Sequence, residues 1–394
     1  MSKRKILPGL ILALLLGAAG VWALLFGRGS FPAFNRYYQL DDYLQEFEQA
    51  LAQNLPFADQ LSSLAVKLQM IGGAKEFDGI YVGDDILVED IGQPDEQQTQ
   101  RNIESLVAFS DQSRIPTYFM LLPTKCAIKQ SEIPQAAPLF NQRQFIEQTY
   151  NQLLGKATVV DVYPALFARF EEDLYYKTAP DLTALGAYCV YEVLAQRLDI
   201  TPRPQEDFDI QYVTHSYYGE TYQRSAYQDI SPDVIALYRY QKNNRTYSVT
   251  HSDGYAYTYD SLYPQQLMEL SEQPEDVLDV ILGGNTGDII IRSNLRSRST
   301  LLIVGDDSVL PVIPFLASHY SQIRFVDLAD LSEEQIAQID CSQYQRLLIA
   351  YSVDTFIHED IPEKVALLQT AQTEEAISLQ PAEETQQDAG QAAP

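Results

Sequence analysis

The chain has 394 residues, 46% of them hydrophobic, so it can bury a sizeable core and is not globally disordered. Its 27 Lys and Arg stand against 54 Asp and Glu, a net charge of −27, with no long basic stretch. That balance excludes a protein whose main business is nucleic acid, because binding phosphates needs a basic footprint.

The N-terminus carries Lys3, Arg4 and Lys5, then a nearly unbroken apolar run from Ile6 to Phe26. As a helix the run spans roughly 30 Å, the hydrocarbon thickness of a bilayer. It reads as an uncleaved signal anchor spanning the membrane over 6–26. Residues 1–5 are then cytoplasmic by the positive-inside bias, and everything after Gly27 lies outside the cell. The rival is a cleaved signal peptide, for which the run is long and Ala18 and Ala19 sit too far inside it.

Residues 40–70 have a helical pattern broken at Pro56 and ended by Gly72 and Gly73. Gly79 to Val82 reads as a short strand and Arg101 to Phe109 as a helix. Ile115 to Leu122 reads as a strand closed by Pro123, Asn141 to Leu154 as a helix, and Val159 to Val162 as a further strand. This alternation predicts βαβ units and a parallel sheet. Thr183 to Leu198 is a helix, with Thr183 at its start and Leu185, Cys189 and Val193 on one face. Burial accounts for Cys189 there, and Cys126 and Cys341 are too scattered for a disulfide scaffold or a Cys-based metal site.

From about 205 to 282 the chain is tyrosine-rich, including Tyr217, Tyr218, Tyr222, Tyr238 and Tyr240. Tyr255, Tyr257 and Tyr259 then alternate after the turn His251-Ser252-Asp253-Gly254, as in a hairpin strand. The segment is read as an insertion beside the main sheet. Its tyrosines either fill a thin core or present rings to sugars. The sheet resumes at Thr300 to Val304, with further strands at Ile323 to Val326 and Leu347 to Ala350. Asp306, Asp307 and Ser308 follow the first, and Asp327 and Asp330 the second, at strand ends where α/β proteins place their sites. From Glu374 the composition turns to Glu, Gln, Ala and Pro, which reads as a disordered acidic tail over 374–394.

Four histidines are present, His215, His251, His319 and His358, and no His-x-x-x-His pair exists to hold a zinc ion. Asp306, Asp307 and Asp327 read either as turn formers or as hard-cation ligands. Ser308 occupies a plausible nucleophile position, but no histidine is tied to it by the one-dimensional pattern.

Several stretches together resemble the DHHW family of Gram-positive envelope proteins, relatives of the alginate O-acetylation proteins. They are Phe77-Asp78-Gly79-Ile80-Tyr81-Val82-Gly83, Ile115 to Thr124, and Tyr175-Tyr176-Lys177-Thr178 ahead of Thr183-Ala184-Leu185-Gly186. Tyr218-Gly219-Glu220-Thr221-Tyr222, Gly283-Gly284-Asn285 and Leu301 to Val304 follow in order, so the resemblance covers about residues 30–360. It implies an SGNH-hydrolase-like three-layer α/β sandwich with a mostly parallel sheet over 30–373, outside the membrane.

The resemblance also implies a triad that this chain lacks. The family's Asp-His-His-Trp falls on Ala179-Pro180-Asp181-Leu182, and its Lys-Asp-Ser-Tyr on Gly305-Asp306-Asp307-Ser308. The orienting acid is therefore Ala179, the base Asp181 and the nucleophile Asp307, none of which can do that chemistry. The expectation is a pseudoenzyme with no cofactor and no metal, its ligand-binding residues being Asp306, Gly283, Gly284 and Asn285. Its implied partners are the cytoplasmic membrane and a cell-envelope glycan or acyl-transfer machinery. Two alternatives stay open: an acetylesterase or O-acetyltransferase rebuilt on Ser308, and a carboxylate or cation site formed by Asp181, Asp306 and Asp307.

Overall fold

The computed structural model describes residues 58–264 and 277–368, with the single position Gly17. The apolar run over 6–26, Pro56 and the tail from Glu374 lie outside the described residues. Among the described residues no helix is long and apolar enough to cross a membrane. The chain divides into two compact units, Met1–Phe77 with Arg224–Asp229, and Asp78–Gln223 with Ile230–Pro394.

In the first unit, helix α1 (Ala58–Ile71) is followed by the short strand β1 (Glu76–Phe77). Gly73 ends the helix with a φ of 96°, a conformation glycine adopts without a Cβ penalty.

The second unit carries everything that positions a site. Strands β2 (Ile80–Val82) and β3 (Leu87–Glu89) pair antiparallel. Helix α2 (Glu96–Gln112) is capped by Asp95, whose side chain accepts from the Gln97 and Gln98 amides. Then come β4 (Thr117–Leu122), the short helix α3 (Lys125–Ile128), α4 (Gln142–Gln152) and β5 (Thr158–Val159). Helix α5 (Tyr163–Ala168) leads toward α6 (Ala184–Arg197), which is capped by the Thr183 hydroxyl. Strands β6 (Phe208–Tyr217) and β7 (Asp233–Tyr240) form a two-stranded antiparallel sheet. Strands β8 (Tyr247–His251), β9 (Ala256–Tyr259), β10 (Asp288–Ser293), β11 (Thr300–Gly305), β12 (Gln322–Val326) and β13 (Arg346–Ser352) complete the set.

The main sheet has the order β5-β4-β13-β11-β12-β10-β8-β9. The strands from β5 to β12 run parallel, whereas β10, β8 and β9 add antiparallel. Register is fixed by pairs such as Ser352 with Leu122 and Gly305 with Ala350, so the parallel strands end close to level. Their near-continuous apolar runs are buried, as a parallel sheet covered by helices requires. Phe119 of β4 packs against Tyr150 of α4 and Phe356 of the helix Val353–His358. Tyr188 and Tyr191 of α6 pack against Phe315. The result is an α/β sandwich with a largely parallel sheet.

The tyrosine-rich stretch corrects one expectation. It does not stand beside the main sheet as a unit, because β8 and β9 join that sheet through β10, a strand the sequence reading passed over. Charge pairing locks this extension: Arg324 of β12 donates twice to Asp288 of β10, at 2.9 and 2.7 Å. Tyr217, Tyr238, Tyr240, Tyr247 and Tyr257 are buried, so these rings fill the core, while Tyr212 and Tyr255 remain exposed. The three cysteines are buried and free.

Candidate functional site

Because β4, β11, β12 and β13 are parallel, the residues just past them emerge at one edge of the sheet. Pro123 and Thr124 follow β4, Asp306, Asp307 and Ser308 follow β11, Asp327 follows β12, and Ser352 ends β13. These residues line a cleft of about 650 Å³ together with Tyr175, Pro180, Asp181, Leu182, Glu220, Asp354 and Glu359. The lining is rich in carboxylates and, among the described residues, includes no lysine, arginine or histidine.

Hydrogen bonds organise the acidic side chains. The side-chain amide of Asn285 donates to Asp307 and, at 2.8 Å, to Asp327, while its oxygen accepts from the Gly287 amide at 2.9 Å. Asp327 also accepts from the Ala329 amide at 2.9 Å. Burial pushes the Asp327 carboxyl up to about 6; the two hydrogen bonds pull it down, and Asp307 and Asp306 push it further up. Asp327 therefore takes up a proton as pH falls through about 6, which relieves the crowding of carboxylates in mildly acidic solution. Asp306 accepts the Ser308 hydroxyl on one oxygen and the Ser352 amide on the other, at 2.9 Å for the amide.

The loop carrying Ala179 and Asp181 is pinned from below. The ammonium of Lys125, buried at 2% exposure, donates to the carbonyls of Tyr176 at 2.9 Å and Ala179 at 2.7 Å. Burial lowers the Lys125 pKa to about 8, an effect opposed by Asp233, Glu89, Asp181 and Glu220. Asp233 accepts the amides of Lys177 and Thr178, at 2.7 and 2.8 Å, and the Thr178 hydroxyl. That hydroxyl in turn accepts the Gly219 amide at 2.9 Å. A Cβ on Gly219 would lie 2.5 Å from the Ala179 Cβ, so glycine is required by this close approach.

Among the residues singled out from sequence, Asp181, Asp306, Asp307 and Ser308 meet in the one cleft. Ala179 is wholly buried beside it. Asn285 joins the site through its bonds to Asp307 and Asp327. Gly283 and Gly284, expected to bind ligand, are not among the lining residues. With φ of 93° and 85° they instead form the turn that delivers Asn285, and Gly283 faces His251 and Pro264. Sequence reasoning passed over Lys125, Glu220, Asp354 and Glu359. None of them carries a local sequence signal that sets it apart from an ordinary surface residue.

No histidine reaches Ser308. His251 is held by Thr286 at 3.0 Å and the Leu282 carbonyl at 2.9 Å, and His319 by the Tyr191 hydroxyl at 2.7 Å. His358 sits against Asp354 at 2.9 Å and the Gln93 carbonyl at 3.1 Å, and exposed His215 stacks on Tyr212. The rebuilt-serine alternative therefore lacks its base in this arrangement. For the cation alternative, Asp181, Asp306 and Asp307 do share the cleft. Yet among the described residues no three His, Cys, Asp or Glu side chains form a group that could hold a metal ion.

Comparison with solved structures places this architecture. A DHHW family protein from Eubacterium siraeum superposes with a TM-score of 0.61 at 18% identity, covering 75% of this chain and 97% of that one. The chain has the DHHW-family fold. PatB1 of Bacillus cereus, in a structure with a sulfonyl adduct, gives a TM-score of 0.58 at 14% identity, over 72% of this chain and 97% of its own. No protein-family model matches the sequence, and no curated protein does.

Proposed function

We propose that this protein is a non-hydrolytic binding or accessory component of cell-envelope polysaccharide modification. The Ile6–Phe26 segment holds it at the outer face of the cytoplasmic membrane, where it works beside acyl-transfer machinery. The observation that carries this reading is the cleft itself. It sits at the sheet edge where α/β proteins place their sites, carboxylates stand at the places that the family resemblance implies for base and nucleophile, and no histidine is among its lining residues. Asn285, which could stabilise a developing charge, is engaged instead with Asp307 and Asp327. Loss of an assembled triad removes about 10⁴-fold or more of rate, leaving binding as the property such a scaffold can retain.

Carboxylates accept hydrogen bonds from sugar hydroxyls, and a cleft lined by them repels anionic polymers. The ligand class is therefore a neutral or amine-bearing glycan. Titration of the full chain with chitohexaose and N-acetylchitohexaose tests this. The amine form should bind more tightly, with an advantage that shrinks as salt rises, and Asp307→Asn combined with Glu220→Gln should weaken it. Absence of saturable binding by the amine form, or affinity indifferent to the two substitutions, overturns the reading.

A further inference from the structure

A second concavity lies away from the cleft, between α2 and α4, with a volume of about 480 Å³. Its chemistry is unlike that of the cleft. Gln144, Gln148 and Gln152 recur every fourth residue, so they line one face of α4, and Gln93, Gln100 and Asn141 complete an amide-rich wall. Gln148 and Gln152 are exposed and their side chains make no hydrogen bond among the described residues. Phe140 and Phe145, half-buried with ring centroids 5.5 Å apart, supply flat apolar surface, and among the described residues Glu96 is the one charged residue in the lining.

Thr149 provides an independent sign of a missing partner. It lines the same groove, is 1% exposed, and its hydroxyl has no hydrogen-bond partner among the described residues. Buried hydroxyls are ordinarily paired.

We infer that this groove binds a neutral oligosaccharide. Gln93, Gln100, Asn141 and Gln144 are engaged within the protein, whereas Gln148 and Gln152 each offer a donor and an acceptor, which matches sugar hydroxyls that are themselves both, and the phenylalanine rings match the C–H faces of pyranose rings. The near absence of charge gives this groove no basis for the amine preference proposed for the acidic cleft, and the inference does not rest on that proposal. An extended peptide is less well matched, because the groove lies between helices and offers no strand edge to pair with.

The test uses the full chain and saturation-transfer NMR with three neutral probes, cellohexaose, maltohexaose and N-acetylchitohexaose, beside an uncharged Gly-Ser-Gln peptide. At least one sugar should bind saturably and with little dependence on salt. Gln148→Ala with Gln152→Ala should weaken it tenfold or more. Thr149→Val, which keeps the shape and removes the hydroxyl, should weaken it severalfold without lowering the melting temperature. Three outcomes overturn the inference: no saturable sugar binding, affinity unchanged in the double glutamine variant, or tighter binding of the peptide than of every sugar.

Discussion

Asn285 donates its side-chain amide to Asp307, and the same nitrogen reaches Asp327 at 2.8 Å. One amide thus bridges two acidic side chains from different strand ends and favours their ionised forms. Asn285→Ala should raise the Asp327 titration midpoint above its native value of about 6, read from the carboxyl carbon chemical shift. An unchanged midpoint would show that the bridge does not hold in solution.

Stability should depend on pH through two buried groups of opposite sign. Asp327 rises from 3.8 to about 6 on folding, so its contribution is full below about 3.8 and is lost as pH climbs through about 6. The loss amounts to roughly 3 kcal/mol. His319 falls from 6.5 to about 4, so its contribution is full above 6.5 and is lost as pH drops through about 4, by roughly 3 kcal/mol. Denaturant unfolding between pH 4 and pH 8 should find Asp327→Asn gaining on the native protein as pH rises. His319→Gln should gain on it as pH falls. Parallel pH profiles for native protein and variants would contradict both assignments.

The loop bearing Ala179 and Asp181 depends on charged anchors beneath it. Lys125→Met leaves the Tyr176 and Ala179 carbonyls without their shared donor and should cost about 2–4 kcal/mol. Asp233→Ala removes the acceptor of two amides and a hydroxyl and should cost a similar amount, about 2–4 kcal/mol. Chemical denaturation measures both, and a change under about 0.5 kcal/mol, the scale of ordinary surface substitutions, would show that the anchors are dispensable.

Gly219→Ala should destabilise the protein by about 1–3 kcal/mol through overpacking. The added methyl would stand 2.5 Å from the Ala179 Cβ and 3.0 Å from the Thr178 carbonyl oxygen. Combining it with Ala179→Gly should recover part of that loss, because the second change vacates the space the first one needs. Strictly additive losses would place the strain elsewhere.

Much of this was legible in the residues. The parallel strands announced themselves as apolar runs bounded by proline, glycine or aspartate, as in Thr117 to Leu122 before Pro123 and Thr300 to Gly305 before Asp306. Thr183 marked the start of α6 because its hydroxyl competes well for free helix amides. What escaped was contact between distant segments. Asp288-Ile289-Ile290-Ile291 carries an apolar run as clear as the others, but only its pairing with β12 shows that the tyrosine-rich strands extend the main sheet. The gathering of Asp181, Asp306 and Asp307 in one cleft was foreseen as an alternative. The role of Asn285 in bridging two carboxylates was not, since hydrogen bonds across 22 and 42 residues leave no local trace. Lys125 was missed for a related reason: a lysine in sequence signals surface, and only the fold shows it satisfied by backbone carbonyls.

Hydrolysis of p-nitrophenyl acetate by the full chain, run beside Ser308→Ala under matched conditions, tests the central claim most directly. With the Ser308 hydroxyl given to Asp306 and no histidine on the cleft, both proteins should stay at the rate of the protein-free control. Turnover above that control in the native protein, abolished in Ser308→Ala, would contradict the account and establish a serine site rebuilt without a histidine.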